Sequence, residues 1–564
     1  MSLNGALQVG RSAIVASQAG LQVAGNNMAN ASTPGYSRQV MHLSPTPGES
    51  IGFGQTVGRG VQLTQITRQI DLAVQARLRD AVSDEQAAFI SQRFLSSIES
   101  IQNELTDNDL SSLLSDFFNG FSELANNPED NSIRTVVIQQ GVNVADRVSQ
   151  MRRDYTHVRE EIDRDIGVTV RRVNGLLDEI AAVNTQIVET EFGVGPANSL
   201  RDRRDQLVNE LAQFMDVHAI EQPSGAVDVF SGSLPIVLAG QSRGVELRQE
   251  SVDGEVEVSV RVRDDQSKLD INSGRLGGLF KQRDGLVDGA IATLDNFASA
   301  LIDEVNRMHT QGQGRVGFAS VTGAVQAKNP SLNLNHPSVD LPSRIERGSF
   351  QVHVTHRESG QRVTYQIEVD GNEMSLDDLA AALDSAISAS SASATATGEN
   401  RLQMTAAAGY ELSFSDDTSG ALAALGINTF FTGRDALDIA VNDVVVANPS
   451  LLAAGAGHVN GSNQTAIAIA DLQELGLDAL GGASLRGYWQ ESVNSLAVRA
   501  NAAATRVDAA MLVRENLSAQ MQAVSGVSLD EEAINLLSFQ RQFQAAARFI
   551  AVIDETLQEL LSIA

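Results

Sequence analysis

Few residue types that carry chemistry occur here at a useful spacing. The 8 histidines are scattered, and only His353 and His356 lie close together. In a strand, an offset of three places two side chains on opposite faces, so this pair is not a ready set of metal ligands. The chain has no cysteine, which excludes disulfides, thiolate nucleophiles and cysteine-bound zinc or iron–sulfur sites. We interpret the histidines as packed or solvated and predict no metal site.

Two other motifs invite a chemical reading. The segment GQGRVG, residues 312–317, has the glycine spacing of a dinucleotide-binding loop. That loop follows a strand and opens a helix, whereas here helical sequence precedes the motif and strand-like sequence follows it. The acidic pairs Asp416-Asp417 and Glu531-Glu532 are typical of surface carboxylates in an acidic chain. We therefore predict a linker at 312–317, no catalytic residue, no cofactor and no enzymatic activity.

Charge and composition exclude further classes of protein. The 564 residues carry 41 Lys and Arg against 70 Asp and Glu, a net charge of −29. Binding to nucleic acid or to an anionic membrane needs dense basic patches, so neither is expected. A hydrophobic fraction of 42% is too high for a wholly disordered chain. We find no run of about 18 apolar residues, which predicts no membrane insertion, and no apolar signal region at the N-terminus.

The first element that must position any site is an N-terminal helix. Apolar or small residues recur from residue 3 to residue 28 in steps of 4 and 3, the spacing of a helix that packs along another helix. The segment Thr33-Pro34-Gly35-Tyr36 then ends the pattern in a turn. One row of this seam has large side chains, and the other row has mostly small ones. The large row consists of Leu7, Ile14, Leu21 and Met28.

The C-terminal 35 residues show the same helical spacing of apolar residues more strongly. Ser528 is a plausible N-cap with Glu531 three residues later, and a seam with the same 3 and 4 spacing follows to residue 560. A helix of about 35 residues would extend about 50 Å. The apolar residues predicted to pack from this seam are Leu536, Phe539, Phe543, Ile550, Ile553, Leu557 and Leu560.

Between the two ends the pattern alternates between helical and strand-like. Residues 80–126, 132–191, 276–310 and 486–524 have helical periodicity, with 132–191 read as one long helix or two consecutive ones. Residues 216–263 and 316–450 contain alternating strand patterns. A Ser/Ala/Thr tract at 385–397 is expected to be a loose loop or a helix end. The predicted fold class is α+β and multidomain: a long α-helical coiled-coil or bundle trunk built from both chain ends, with inserted β-rich outer domains.

The predicted domains follow from these segments. A terminal helical domain is paired from the two ends, and a helical trunk is interrupted by two β-rich insertions. The ranges are 1–62 with 520–564 for the terminal domain, 63–215 with 273–315 and 456–519 for the trunk, 216–272 for the small insertion, and 316–455 for the outer insertion.

The terminal seams favour an assembly protein. An amphipathic helix most often just faces the core of its own domain. These two lie at the chain ends, which are normally frayed, and a lone helix pair buries too little surface to offset the entropy of ordering about 30 residues each. Packing against copies in neighbouring subunits would supply the missing burial. The seams therefore indicate a subunit that assembles with itself.

Several segments of the chain resemble a known family. The stretch AGNNMANASTPGYSRQ, residues 24–39, is similar to the N-terminal signature of bacterial flagellar axial proteins, which include rod, hook and hook-associated proteins. Segment 58–81 resembles the hook-associated branch, and segments 199–212, 274–312 and 525–563 resemble the flagellar hook-associated protein 1 (FlgK) family, the first hook–filament junction proteins. The signature residues matched in this chain are Asn26, Asn27, Asn30, Thr33, Pro34, Gly35, Tyr36, Arg38 and Gln39.

The resemblance implies a structural role at the hook–filament junction of the flagellum. It implies a ring of about eleven copies of the chain, with the terminal helices in an inner tube. The partners it implies are the hook protein, the second hook–filament junction protein, an export chaperone that binds the C-terminal helix, and the flagellar type III export apparatus. It places the protein outside the cell on the flagellum, and in the cytoplasm before export.

Three alternatives stay open on the sequence. The nearest is another flagellar axial protein, such as the hook protein or the second junction protein. A secreted adhesin with a helical stalk and a β-rich head is a rival from another class. An enzyme domain inside residues 316–450 is the third, although no convergent set of nucleophile, base or ligands supports it.

Overall fold

The computed structural model describes residues 3–52, 55–103, 109–193, 195–252, 255–459 and 461–563. Long helices dominate both ends of these residues, and the prediction of helical ends is confirmed. Parts of the predicted terminal domain, trunk and small insertion, and of the predicted helix at 80–126, lie outside the described residues, whereas the predicted outer insertion 316–455 is fully described. The α-helices are α1 Leu3–Asn30, α2 Leu72–Gln102, α3 Leu110–Asn126, α4 Asn131–Glu191, α5 Asn198–Phe214, α6 Gly274–Gln282, α7 Asp288–His309, α8 Leu376–Ile387, α9 Ala421–Ala424, α10 Asp443–Ala447, α11 Gln464–Asp471, α12 Leu485–Ser525 and α13 Leu529–Ile563.

The strands form small antiparallel sheets rather than one large sheet. Pairings join β1 to β4, β2 to β3 and β9 to β10, while β5 to β8 form a four-stranded meander. The strands are β1 Gln39–Pro45, β2 Glu49–Gly52, β3 Gln55–Val57, β4 Val61–Arg68, β5 His218–Glu221, β6 Val227–Ser231, β7 Leu234–Leu238, β8 Gln241–Ser242, β9 Val245–Val252, β10 Glu255–Val262, β11 Ser320–Thr322, β12 Gly348–His356, β13 Arg362–Val369, β14 Ala392–Ala396, β15 Leu402–Ala406, β16 Tyr410–Ser415, β17 Phe431–Thr432 and β18 Ala440–Val441.

The chain divides into two compact units. The first unit comprises Met1–Arg93, Ile162–Gln282 and Ala502–Ala564. The second unit comprises Phe94–Glu161 and Arg283–Asn501. The finer four-part division made from the sequence stays a prediction.

Two asparagines on α4 hold strands within the first unit. The Asn184 side chain donates to the Val227 carbonyl at 2.8 Å and accepts from the Val227 N–H at 3.0 Å. Asn174 repeats the arrangement with Val245, at 2.8 Å in both directions. An amide side chain presents one donor and one acceptor, so each asparagine satisfies a whole backbone unit, as a neighbouring strand would.

The second unit has a closed apolar core in its β-rich part. Strand β12 lies between β13 and β16, and β15 lies between β11 and β14. Helix α8 begins at a capping box of Ser375 and Asp378, which satisfies backbone donors that a helix start leaves unpaired. The core includes Phe350, Val352, Leu379, Leu383, Met404, Leu412 and Phe414.

Aromatic rings fill another part of the second unit. Phe117 and Phe121 of α3 lie 5.6 and 5.9 Å from the ring of Phe430, measured between centroids. The His309 ring lies 5.8 Å from Phe430 and is fully buried. Its Nδ1 donates to the Asn428 carbonyl at 2.8 Å, and its Nε2 accepts from the Ala453 N–H at 2.9 Å. Both ring nitrogens are therefore satisfied by the neutral imidazole.

Several segment predictions are confirmed and one is wrong. Residues 131–191 form one helix, and the alternating segments are strands. The tract 385–397, expected to be a loose loop or a helix end, finishes α8 but then forms β14, in which Ala392 and Ala394 are buried. Pairing with β15 stabilises a strand that its own small residues would not favour.

One helical stretch bears on the prediction of no membrane insertion. Gly274–His309 is long and apolar enough to cross a membrane by length and composition. A helix in a protein core passes the same test, and Phe297, Leu301 and Val305 on α7 are buried within the second unit.

Candidate assembly site at the chain ends

The two terminal helices pack against each other in antiparallel orientation. Gly10 of α1 lies against Phe549 and Ile550 of α13, and Gly20 lies against Phe539. A Cβ atom added to Gly10 would come within 2.6 Å of Ile550 Cγ1, and one added to Gly20 would come within 2.6 Å of Phe539 Cδ1. Such distances are too short for non-bonded carbons. The two glycines therefore allow the close approach of the helices.

The small row of the N-terminal seam is buried more deeply than the large row. Gly10, Ser17 and Ala24 are buried, together with Ala16 and Gly20. The large residues predicted to pack are less covered, and Leu7 is 36% exposed. The partly buried large residues of this row are Ile14, Leu21 and Met28.

The C-terminal seam has a similar gradient. Ala546 and Ile553 are buried, whereas Leu560 is 53% exposed. The rest of the predicted row lies between these extremes, on the same line of the helix. These partly buried residues are Leu536, Phe539, Phe543, Ile550 and Leu557. That these side chains pack in an inner tube stays a prediction.

Large apolar side chains on both helices remain uncovered. Val15 is 52% exposed, Ile534 is 67% exposed and Val552 is 58% exposed. Single exposed apolar residues are normal, but these recur along one helix pair. The others on the pair are Leu7, Leu529, Leu537, Phe549 and Leu560. The pair therefore offers apolar surface that a further copy of the helices could bury.

The family-like signature builds the turn that follows α1. The Tyr36 hydroxyl donates to Asn27 Oδ1 at 2.7 Å, while the Asn27 side chain pairs with the backbone of Gln39 at 2.9 and 3.0 Å. Asn30 Nδ2 donates to the Asn26 carbonyl at 2.9 Å, which satisfies an acceptor near the helix end. Gly35 has a φ of +75°, a conformation that glycine adopts without strain.

Arg38 joins this turn to the start of α13. The guanidinium of Arg38 contacts Glu532 at 2.8 Å and Glu531 at 2.9 Å. The backbone N–H of Arg38 donates to the Ser525 carbonyl at 2.9 Å. The Glu532 side chain is only 3% exposed. The interpretation of the acidic pair 531–532 as surface carboxylates is thus wrong for Glu532. Glu532 is buried because Arg38 neutralises it.

Asp417 of the other acidic pair is also buried. Its two carboxylate oxygens accept from the N–H groups of Ser419 at 2.9 Å, Gly420 at 2.8 Å and Leu422 at 2.9 Å. These N–H groups lie at the start of α9 and have no helical partner of their own. Asp417 is therefore a helix cap rather than a surface charge.

An acid–arginine cluster supports the same turn from α5. It consists of Arg68, Arg79, Asp202, Arg204 and Asp205. Arg68 contacts Asp202 at 3.0 Å and Asp205 at 2.8 Å, and Arg204 contacts Asp205 at 3.0 Å. Asp202 accepts from the Ser37 N–H at 3.3 Å, which links the cluster to the signature.

Burial and charge act in opposite directions on this cluster. Burial would raise the pKa of Asp205, but Arg204, Arg68 and Arg79 together lower it. Burial raises the pKa of Asp202, and it lowers the pKa of Arg79. At the signature, burial, Asp202 and Glu532 raise the pKa of Tyr36 to about 12. The Tyr36 hydroxyl therefore keeps its proton and remains a hydrogen-bond donor.

This cluster was not predicted from the sequence. Asp202, Arg204 and Asp205 lie in the family-like segment 199–212, but the charges of both signs in the run 201–205 are typical of an exposed helix face. Arg68 and Asp202 are 134 positions apart, and no local pattern joins them. By contrast, every signature residue from Asn26 to Gln39 lies in or next to the turn.

The comparisons with known proteins agree with this arrangement. The model of the flagellar hook-associated protein FlgK helical domain matches residues 95–324. The model of the flagella basal body rod protein matches residues 7–36, and that of the flagellar basal body rod FlgEFG protein C-terminal matches residues 518–563. The two rod models thus cover most of α1 and α13.

Full-length relatives decide between the flagellar branches. Flagellar hook-associated protein 1 of Escherichia coli K12 is 26% identical over 98% of this chain and 98% of its own. The protein of the same name from Bacillus subtilis 168 is 26% identical over 99% of this chain and 97% of its own. The chain is thus similar to flagellar hook-associated protein 1 over nearly its full length.

A solved FlgK structure shares the fold. It is described as the flagellar hook junction protein FlgK from Burkholderia pseudomallei. The match has a TM-score of 0.50 at 15% identity and covers 80% of this chain and 100% of that one. The α+β multidomain class predicted from the sequence is therefore that of a FlgK protein.

Proposed function

We propose that this chain is the subunit that joins the hook to the filament of the flagellum, and that it assembles through its terminal helices. The observation that carries the proposal is the α1–α13 pair, whose small residues are buried while Val15, Ile534 and Val552 stay exposed. Its relatives are hook-associated proteins of the flagellum, which are structural proteins, and we propose no catalytic role.

The finer steps follow from the same pair. We propose export through the type III apparatus in an unfolded state, for which a chain without cysteine is suited because no disulfide can form on the way. An export chaperone would cover the apolar face of α13 before export. Outside the cell, about eleven copies would bury that face in a ring between the hook protein and the second junction protein.

Assembly completes a core that one copy leaves open. Burial of a large apolar side chain stabilises by about 1.5–3 kcal/mol, so several such residues on each helix can offset the entropy of ordering the ends. We further propose the division into a terminal domain, a trunk and two insertions, with the terminal domain as the part that orders on assembly.

The test places two carboxylates in the seam. Ile550→Asp and Leu557→Asp together would bury unpaired charges, at a cost of several kcal/mol each, and should abolish filaments and swimming. Gln558→Asp adds one carboxylate at an exposed position of α13 and should leave swimming intact, whereas Leu557→Asp alone, with the same added charge, should reduce swimming. Full swimming of the double variant at normal expression would refute the assembly role.

A deletion strain separates the related alternatives. Loss of a hook–filament junction protein should give hooks without filaments and flagellin in the medium, whereas loss of the hook protein should remove hooks. A secreted adhesin should leave swimming unchanged. Electron microscopy of the deletion strain, and of the strain restored with this chain, distinguishes these outcomes.

A further inference from the structure

A cleft of about 350 Å³ in the second unit has no part in the proposed junction role. It lies beside the GQGRVG segment, whose glycines have a packing reason of their own. A Cβ on Gly314 would come within 2.4 Å of the Ser450 carbonyl, and one on Gly317 within 2.8 Å of the Leu412 carbonyl. The segment is thus the linker predicted from the sequence, and it places Arg315 at the cleft. The volume lies within the range of small-molecule sites.

Arg134 brings a buried positive charge to this cleft. The residue is 2% exposed, and its guanidinium donates to the carbonyls of Leu452 and Pro128. No carboxylate pairs with it among the residues that the structure describes, and its Nε has no acceptor there. Burial, together with the charge of Arg315, lowers its pKa to about 10. A buried charge that only carbonyls solvate is costly, and an anion in the cleft would reduce that cost.

Two further arginines line the cleft. Arg315 and Arg362 are exposed, and neither forms an ion pair within the described part of the chain. Arg362 Nε donates only to Thr355 Oγ1, at 3.3 Å. The carboxylates that line the cleft are Glu411, which Arg357 contacts at 3.5 Å, and the exposed Glu129. The local charge is therefore positive in a chain whose net charge is −29.

Neutral polar groups complete the lining. Gln313 Oε1 accepts from the backbone N–H of His458 at 2.7 Å. The other end of this amide, Gln313 Nε2, has no acceptor among the described atoms. His458 Nε2 is also unpartnered there, and burial lowers the pKa of this ring to about 3, so the ring is neutral. Ser413 and Thr355 add hydroxyl groups. Neutral donors and acceptors of this kind suit hydroxyl groups better than a second charge.

We propose that this cleft binds a small hydroxylated anion, a carboxylate or phosphate on a sugar-sized molecule, through Arg315, Arg362 and the buried Arg134. Guanidinium groups bind carboxylate and phosphate oxygens in pairs, which favours this anion class over a neutral sugar. No Phe, Tyr or Trp side chain lines the cleft within the described residues, so the lining lacks the large rings on which a nucleobase stacks best.

The experiment titrates the purified full-length chain with three probes by calorimetry. Glucuronate carries a carboxylate, glucose 6-phosphate carries a phosphate, and glucose carries no charge. We expect saturable binding of at least one of the two anions and none of glucose. Arg315→Gln and Arg362→Gln should each weaken binding at least tenfold. Arg347→Gln, an exposed arginine of the same unit outside the cleft, should leave binding unchanged.

Three results would overturn the proposal. They are no binding of either anion up to 10 mM probe, equal binding of glucose, and equal weakening by Arg347→Gln. Circular dichroism of each variant checks that the second unit is folded, and Arg315→Lys and Arg362→Lys provide charge-preserving alternatives if a glutamine variant unfolds. Swimming of the same variants separates this site from the junction role, since the cleft variants should assemble normally.

Discussion

The terminal helix pair and the β-rich core of the second unit bury different kinds of residue. In the core, large side chains such as Phe350, Val352 and Phe414 are at most 1% exposed. In the pair, the most buried residues of α1 are glycine, alanine and serine, while Val15 is 52% exposed. One region completes its core within a single chain, and the other brings two backbones close and leaves its large side chains outside.

This difference indicates which region stabilises the monomer and which region is shaped for assembly. Large buried side chains provide most of the hydrophobic free energy of a domain, so the β-rich core should be stable in the monomer. Small residues at a helix contact provide little burial energy but fix the distance between the helices. The terminal pair is thus shaped for a contact whose energy comes from further copies.

The largest expected effect comes from the core. Phe414→Ala removes a buried ring 6.3 Å from Phe318 and should lower the free energy of unfolding by about 3–5 kcal/mol. Amide exchange of β12 in the monomer measures this loss. The exposed Leu437, replaced by alanine, should change it by less than about 0.5 kcal/mol. Equal effects of the two variants would show that the core is not closed in the monomer.

The next effect concerns the polar end of the pair. Arg38→Gln leaves Glu532 buried without its cation and should destabilise the contact by about 3 kcal/mol. Exchange of the amide at position 38, which donates to Ser525, reports the loss. The double variant Arg38→Gln with Glu532→Gln should recover part of it, because the charge is removed as well. No recovery would mean that packing, not charge, holds this end.

A pH titration separates the regions because their histidines differ. Neither terminal helix contains a histidine, whereas burial lowers the pKa of His309 in the second unit to about 4. Its unfolded pKa is about 6.5, so the neutral form stabilises the fold above that pH, and this stability falls as the pH drops from 6.5 to 4. At pH 5 the loss should be about 2 kcal/mol.

The single tryptophan measures that loss. Trp489 is buried in the second unit, and its fluorescence during urea unfolding at pH 7 and pH 5 reports the free energy of unfolding. His309→Gln should reduce the pH dependence, while His353, whose pKa burial and Arg362 lower to about 4, keeps part of it. An unchanged dependence in His309→Gln would exclude this histidine as a cause.

The sequence predicted what is local and periodic. The seams from Leu7 to Met28 and from Leu536 to Leu557 follow from spacing alone, as does the turn at Pro34-Gly35. It did not predict that Gly20 rather than Leu21 is the more buried residue, because this depends on where Phe539 of the partner helix lies. A heptad pattern gives a face of a helix but not the distance to its neighbour.

What the sequence could not predict depends on contacts between distant positions. Strand β14 is stabilised by β15, and three of its five residues are alanine, which is depleted in strands. Arg68 meets Asp202 across 134 positions, and the cleft joins residues from Arg134 to His458. Charge runs such as 201–205 have the same sequence pattern whether a partner buries them or water surrounds them.

The smallest expected effect tests the helix distance itself. Gly20→Ala places a Cβ within 2.6 Å of Phe539 Cδ1, so Phe539 or the helix must shift. Gly25→Ala is the matched control, since a Cβ there meets nothing within 4 Å. Alanine is favoured over glycine inside a helix by about 1 kcal/mol, so both changes gain equally from helix propensity.

Gly25→Ala should leave filament number unchanged, while overpacking of about 1–3 kcal/mol should make Gly20→Ala lose filaments. Counts of filaments per hook by electron microscopy, with export of each variant checked in the medium, decide between them. Equal counts would mean that the close contact at Gly20 is not kept in the assembled flagellum, and that the large row alone determines how the terminal helices pack.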